Sequence, residues 1–394
     1  MILKHKSLLF PLLLVFYEIA TYLSNDMYLP ALPQMMTDLK LSLDEAQFTL
    51  TMWFLGACSM PLIVGALADR FGRRSILLLG GIIYIIASML CAMTHDYFIF
   101  LVGRFFEGGM VSFMIVPGYA CIHEAHEQKN AIRMLALMGS ISVLAPALGP
   151  LFGGIVLTMF SWRGIFWVIT LWSFVAILLL AKHMPETLPA DKRHPLNLPS
   201  LMGHYAKIIT NKQFLIYAAI GGFTFAGFIA WITAGPLLAM DTFQYSAVAF
   251  GIIQAVVFLA TIIAARSVKY AMEWIGIKKL IRVSLSITFT GGLIMLLSAW
   301  FAPQHFYGFL AGMVVYSFGS GLNFSSLSRL AIDACSEPMG MRVAISTVFT
   351  MLFGVLGSAM SGFVFTGSSL SLASLTFSAI AIACFFSLFI PRGQ

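Results

Sequence analysis

The stretch Gly65-Ala66-Leu67-Ala68-Asp69-Arg70-Phe71-Gly72-Arg73-Arg74 sets four charges between two apolar runs, 47–68 and 76–93. A helix needs about 20 mainly apolar residues to cross the hydrocarbon core of a bilayer, so this decapeptide reads as a tight loop between two membrane spans. Its glycines permit sharp turning and close helix approach. Asp69 can pair with the arginines or face the N-terminus of a neighbouring helix. A loop that only fixed topology would explain the arginines but not an aspartate between two glycines.

The same alternation continues on both sides of this loop. Apolar runs occupy 8–29, 47–68, 76–93, 97–120, 134–160 and 164–182, and after a break 214–239, 247–268, 280–301, 306–328, 344–366 and 370–390. In hydrocarbon the backbone must satisfy its own hydrogen bonds, so these twelve spans are expected to be helical, giving an all-α membrane protein. Composition agrees: of 394 residues 60% are hydrophobic and 10% charged, against about 25% charged in soluble domains. That excludes a soluble enzyme. Lys4 and Lys6 before the run from Leu8 resemble a secretory leader, but Glu18 interrupts the run and no small-x-small cleavage site follows, so it reads as span 1.

An even number of spans puts both termini on one side. All but Lys40, Arg163 and Arg104 of the 23 Lys and Arg residues fall at or near one face, which the positive-inside rule makes cytoplasmic. The expected location is the inner (cytoplasmic) membrane, multi-pass, with both termini inside. The net charge of +7 is then a topology signal, and no nucleic-acid partner is expected. Cys58, Cys91, Cys121, Cys335 and Cys384 show no Cys-x-x-Cys spacing and read as small packing residues.

Residues 183–213 break the apolar rhythm with Pro185, Pro189, Pro195, Pro199 and the cluster Asp191-Lys192-Arg193-His194. They read as a cytoplasmic linker, with a short interfacial helix near 201–209, between bundles at 1–182 and 214–394. The halves echo one another. Phe100-Leu101-Val102-Gly103 matches Phe309-Leu310-Ala311-Gly312, and Leu148-Gly149 with Gly154 matches Leu356-Gly357 with Gly362. Gly72-Arg73-Arg74 has a degraded partner in Gly276-Ile277-Lys278-Lys279. One nearly constant register across three matches indicates an internal repeat, a pointer towards transporters.

With these features in hand the chain resembles the major facilitator superfamily, whose hallmark loop has the pattern G-x-L-A-D-R-x-G-R-R. Arg104-Phe105-Phe106-Glu107-Gly108 is similar to that family's span-4 R-x-x-Q-G motif, with Glu107 standing where Gln is usual. Ala145-Pro146-Ala147-Leu148-Gly149-Pro150-Leu151-Phe152-Gly153 resembles the span-5 motif of its drug/proton antiporters, which marks exporters more than importers. Tyr17-Glu18-Ile19-Ala20-Thr21-Tyr22-Leu23-Ser24-Asn25-Asp26-Met27 is similar to span 1 of multidrug members of that branch. In the second half the likeness rests mainly on Ala230-Trp231-Ile232 and Gly235-Pro236.

The resemblance implies two six-helix bundles working by alternating access, with no cofactor and protons as the coupling ion. It implies proton coupling at Glu18, Asp26 and Glu107, and substrate contacts at Tyr22, Asn25, Asp26, Arg104, Met138 and Trp231. Gating falls to Asp69, Arg70, Arg73, Gly149, Pro150 and Gly153. The implied partners are a small-molecule substrate and the lipid bilayer, and a monomer suffices mechanically.

The residues themselves add a physical reason. Glu18 lies ten residues into span 1, roughly 15 Å deep and so near the midplane of a core about 30 Å thick. An ionised group there costs about 2.5–3.5 kcal/mol on insertion scales. Arg104 and Glu107, three apart, share a helix face. With Glu18 and Asp26 they make three acids against one base, so at least one acid is expected to hold a proton. An ion pair that only fixes packing would account for Arg104 and Glu107 but not for the other two acids.

Phe223, Phe225 and Tyr316 join Trp231 in making the second half's interior apolar and aromatic. His123-Glu124-Ala125-His126-Glu127 sets its histidines three apart, whereas a zinc helix needs four, so solvated charge is expected there. No phosphate-binding G-x-x-x-x-G-K-[ST] loop and no G-x-S-x-G elbow occurs. The expected function is proton-coupled export of drugs or other lipophilic or cationic small molecules. The alternative is a proton-coupled transporter of a specific metabolite or siderophore, its anion anchored by Arg104. A non-transporting receptor is a third reading, disfavoured because nothing outside the spans is large enough to be a sensory domain.

Overall fold

The computed structural model describes residues 9–126, 128–193 and 198–390, which are helical with short connections and contain no strand. Of the sequence readings, Lys4, Lys6, Glu127, His194 and Pro195 lie outside the described residues.

Among the described residues eight helices are each long and apolar enough to cross a membrane: Arg73–Met93, Tyr97–Ala125, Trp162–His183, Lys212–Thr242, Ala247–Ile275, Ile277–Phe301, Met339–Val364 and Ser369–Ser387. They are spans 3, 4, 6, 7, 8, 9, 11 and 12. Span 2 is a bent pair, Leu43–Ser59 and Pro61–Phe71, broken by 47°. The bend has a local cause, since Pro61 has no N–H to donate within a continuous helix and its ring crowds the preceding turn. Leu9–Asp26, Gln128–Leu157 and Phe306–Asp333 complete the twelve as spans 1, 5 and 10. Span 1 has Glu18, Asn25 and Asp26 built into its apolar length.

Packing reproduces the repeat. In the first bundle span 1 packs on 4, 5 and 6, span 2 on 4, and span 3 on 4 and 6. Adding six to every number gives the main contacts of the second bundle: 7 on 10, 11 and 12, 8 on 10, and 9 on 10 and 12. The two seams between bundles, 2 against 11 and 5 against 8, exchange under the same operation. Apolar cavities repeat as well, one of about 570 Å³ lined by Leu148 and Phe152 among spans 1, 5 and 6, the other of about 280 Å³ lined by Leu356 and Met360 among spans 7, 11 and 12.

The seams are tight. Ser361 donates to Gln47 Oε1 at 2.7 Å, Thr51 and Ser358 share a hydrogen bond of 2.8 Å, and Cys58 Sγ reaches Val348 O at 3.6 Å. Between spans 5 and 8 a Cβ on Gly154 would fall 2.9 Å from the Ala247 carbonyl carbon, and one on Gly251 only 2.5 Å from Leu151 Cα. Small residues bring membrane helices this close, and van der Waals contact then holds them. The segment between the bundles carries a helix at Leu198–Ile209, where Tyr205 Oη donates to Leu62 O and Ile208 is buried.

Candidate substrate and coupling site

Span 4 is sunk between spans 2 and 3. A Cβ on Gly108 would stand 1.9 Å from Trp53 O, and one on Gly103 2.5 Å from Cys91 Sγ. This close approach leaves the long side chains of Arg104 and Glu107 wholly inside the bundle, both at 0% exposure. Arg104 Nη1 lies 2.6 Å from Glu107 Oε2 and also donates to Ser24 O at 3.2 Å. Nη2 reaches Asn25 Oδ1 at 3.5 Å. The guanidinium lies over the Tyr28 ring, 4.2 Å from its centroid, and is 5.9 Å from that of Phe166. Ser88 donates to the other carboxylate oxygen, Glu107 Oε1, at 2.6 Å. The pair therefore brings no net charge into the bundle.

Asp26 closes span 1 beside Asn25, buried and within the electrostatic reach of Arg104. Span 5 presses on it directly. A Cβ at Gly149 would sit 2.6 Å from Asp26 Cβ, and one at Gly153 1.9 Å from Met27 O. Pro150 is buried between these two glycines. Gly149, assigned to gating from the sequence, thus packs on Asp26, assigned to coupling. Met138, further along span 5, is fully buried, and Tyr22 is half-buried against the core.

Glu18 is engaged at another depth. Its Oε1 accepts from Tyr119 Oη at 3.0 Å. Tyr119 comes fifteen residues after Arg104 on span 4, roughly 22 Å along a helix. Tyr17 and Tyr84 pack edge to face at 6.0 Å, with Tyr84 Oη donating to Ala20 O. Arg104, Glu107, Asn25 and Asp26 thus share one site, and Glu18 meets span 4 elsewhere.

The charged loop between spans 2 and 3 turns at Gly72, whose φ of +98° suits glycine. Asp69 pairs with Arg73 at 2.6 Å, and Arg73 Nη2 reaches Glu124 Oε1 at the end of span 4 at 3.3 Å. The Arg73 backbone N–H donates to Glu186 Oε1 at 3.0 Å, and Arg70 lies over the Phe71 ring. Glu124 also accepts from Thr187, so this carboxylate ties the loop to the segment after span 6. Among the described residues no group of three or more His, Cys, Asp and Glu could hold a metal ion.

A family model described as Major Facilitator Superfamily matches residues 14–362. The chain belongs to the major facilitator superfamily. It is 30% identical over 357 residues to the chloramphenicol resistance protein CraA of Acinetobacter baumannii, covering 89% of this chain and 84% of that one. It is also 30% identical to the multidrug transporter MdfA of Edwardsiella piscicida, over 90% of this chain and 86% of that one. Among solved structures, the partially occluded, inward-open xylose transporter XylE of E. coli superposes with a TM-score of 0.74 at 12% identity, over 98% of both chains. A point mutant of the nucleoside transporter NupG gives 0.76 at 13% identity, over 96% of this chain and 98% of that one. This facilitator is therefore a multi-pass membrane transporter of small molecules, and not an enzyme.

In the second bundle of the facilitator, Trp231 is fully buried and packs against Phe250, Phe306 and Phe309 with ring centroids 5.9–6.5 Å away. Its indole Nε1 donates to Gln254 Oε1 at 2.9 Å. Tyr316, also buried, donates to Thr224 O at 2.9 Å, while Phe225 reaches across to Phe54 of the first bundle at 6.5 Å. Sequence reasoning missed Ser88, Tyr28, Tyr119 and Gln254. Serines and tyrosines are too common in apolar runs to stand out singly. Gln254, an amide inside a span, was the one visible anomaly.

Proposed function

We propose that this facilitator exports lipophilic cationic or neutral small molecules from the cytoplasm in exchange for protons. The observation that carries the reading is Asp26. Glu107 already balances Arg104 at 2.6 Å, so Asp26 is the acid in this site whose charge the pair leaves unmatched, and span 5 packs on it through Gly149. A carboxyl group in that position can hold a proton or attract a cationic or hydrogen-bonding cargo, but not both at full strength. Protonation from outside releases cargo, and cargo from inside displaces the proton. Glu18, at its own depth with Tyr119, serves as a second station.

Alternation comes from rocking of the two bundles, with Gly149, Pro150 and Gly153 allowing span 5 to slide on Asp26–Met27. The loop of Asp69, Arg70 and Arg73 holds the basic end, which faces the cytoplasm of a cell whose inner membrane houses the protein. Names of the relatives, a chloramphenicol resistance protein and multidrug transporters, support drugs as cargo. The neutral Arg104–Glu107 pair disfavours an anionic metabolite as the principal cargo.

The test is reconstitution in liposomes with an imposed pH gradient and a panel of cationic, neutral and anionic aromatic solutes. Gradient-driven movement of the first two classes is expected. Movement indifferent to the gradient would remove proton coupling, and selective movement of anions would overturn the cargo assignment.

A further inference from the structure

From the buried amide of Gln254 we infer that it is the second bundle's specificity-determining contact, donating to a hydrogen-bond acceptor on the cargo, with Trp231 as its positioning residue. The inference rests on the export reading above and names the cargo chemistry that the second bundle recognises.

The orientation of the amide is fixed by chemistry. Trp Nε1–H can only donate, so the Gln254 atom 2.9 Å from it must be Oε1. The Nε2 group, with two N–H donors, is then turned elsewhere, and it finds no acceptor among the described residues although Gln254 is 0% exposed. A buried donor without a partner is costly, and in a protein that works by changing shape such a group is poised for a partner that comes and goes.

Its place in the fold says which partner. Ala247, Gly251 and Gln254 recur at helical spacing and lie on one face of span 8. The first two of these touch Gly154 and Leu151 of span 5. The helices run antiparallel there, so Gln254 lies level with residues 147–148 of span 5, within one turn of Gly149. Gly149 is the residue that packs on Asp26. Gln254 and Asp26 therefore face span 5 from opposite bundles at nearly the same depth. Opening of the seam between spans 5 and 8 uncovers the Gln254 amide to the space between the bundles, where a cargo that reaches past span 5 from Asp26 and Asn25 meets it. Such a cargo carries a cationic or donor group at one end and a carbonyl, nitro or hydroxyl oxygen at the other.

The experiment compares binding of two probes to the purified full-length protein in nanodiscs. Chloramphenicol carries oxygen acceptors, and tetraphenylphosphonium is a lipophilic cation with none. Gln254→Met keeps length and removes the donor. It is expected to weaken chloramphenicol binding about ten-fold and to change tetraphenylphosphonium binding by less than about two-fold. Trp231→Phe, which keeps a ring but frees Oε1, should also weaken chloramphenicol, and the double variant should be no worse than Gln254→Met alone. Equal losses for both probes, no loss for either, or additive effects in the double variant would overturn the inference while leaving export standing. If the wild-type protein binds neither probe, the export reading fails and the inference with it. Melting temperatures of all variants separate loss of contact from loss of fold.

Discussion

Arg104 Nη1 and Glu107 Oε2 stand 2.6 Å apart, one turn from each other on span 4, with neither side chain reachable by solvent. An arginine alone in the interior of a membrane bundle would be prohibitively costly. Here its charge is met by Glu107, two further donors by Ser24 O and Asn25 Oδ1, and its face by the Tyr28 ring, while Nε finds no acceptor among the described residues. Ser88 in turn holds the far oxygen of Glu107. The two charges cancel within the pair, which moves the variable charge of this site to Asp26.

Removing one partner of a buried pair costs about 3–5 kcal/mol, because it strands the other charge. Glu107→Ala should therefore lower the melting temperature of the purified protein sharply, or prevent its accumulation in the membrane. Glu107→Gln keeps an acceptor for Arg104 and should fall between the two. A melting curve for Glu107→Ala that overlays the wild type would show that the pair contributes nothing to stability.

The architecture was legible in the sequence because it is written in two coarse signals, apolar run length and the position of lysine and arginine. The Arg104–Glu107 face follows from a spacing of three residues. What spacing cannot supply is the partner on another helix. Ser88 beneath Glu107, Tyr119 on Glu18 and Tyr28 under Arg104 depend on how spans 1, 3 and 4 are rotated, which is set by glycines such as Gly103 and Gly108 acting jointly. The break of span 2 at Met60–Pro61 was hidden for a different reason. Apolarity runs straight through it, and only the missing N–H of one proline marks the bend.

Asp26→Asn removes the titratable group while keeping the side chain's shape. Cargo binding should persist within a few-fold, whereas accumulation driven by a pH gradient in liposomes should fall at least about ten-fold, an equilibrium change of about 1.4 kcal/mol. Exchange of labelled for unlabelled cargo without a gradient should survive. Gradient-driven accumulation at the wild-type level in Asp26→Asn would relocate coupling to Glu18.

Span 5 rides on span 1 at Gly153, where even a methyl group would lie 1.9 Å from the Met27 carbonyl oxygen. Backbone cannot yield as a flexible side chain can, so Gly153→Ala forces the helices apart, at a cost of about 1–3 kcal/mol for overpacking. A lower melting temperature and slower transport are expected together. Gly203→Ala is the control, since nothing lies within 4 Å of its added Cβ. There the substitution should be neutral or slightly stabilising, alanine being the better helix former. Equal melting temperatures for the two variants would mean that the seam at Gly153 has room to relax.

Glu337, just ahead of span 11, joins the linker helix to the second bundle by contacts with His204 and with Lys207 Nζ, the latter at 3.8 Å. The hydrogen bond with His204, with a smaller contribution from Lys207, holds its carboxyl below the usual carboxylate range. A carboxyl depressed in the folded state contributes its stabilisation above its unfolded pKa and loses it as pH falls through the lower, folded value. The tether is thus complete at neutral pH and fails only in acid, below the ordinary range for a glutamate. Glu337→Gln should release it at pH 7, seen as several-fold faster amide hydrogen exchange across 202–209 once intrinsic rates are divided out. The wild-type protein should approach that exchange only after acidification. Matching protection in the two proteins at pH 7 would mean that Tyr205 and Ile208, which hold the helix by a hydrogen bond to Leu62 O and by burial, suffice without the charge.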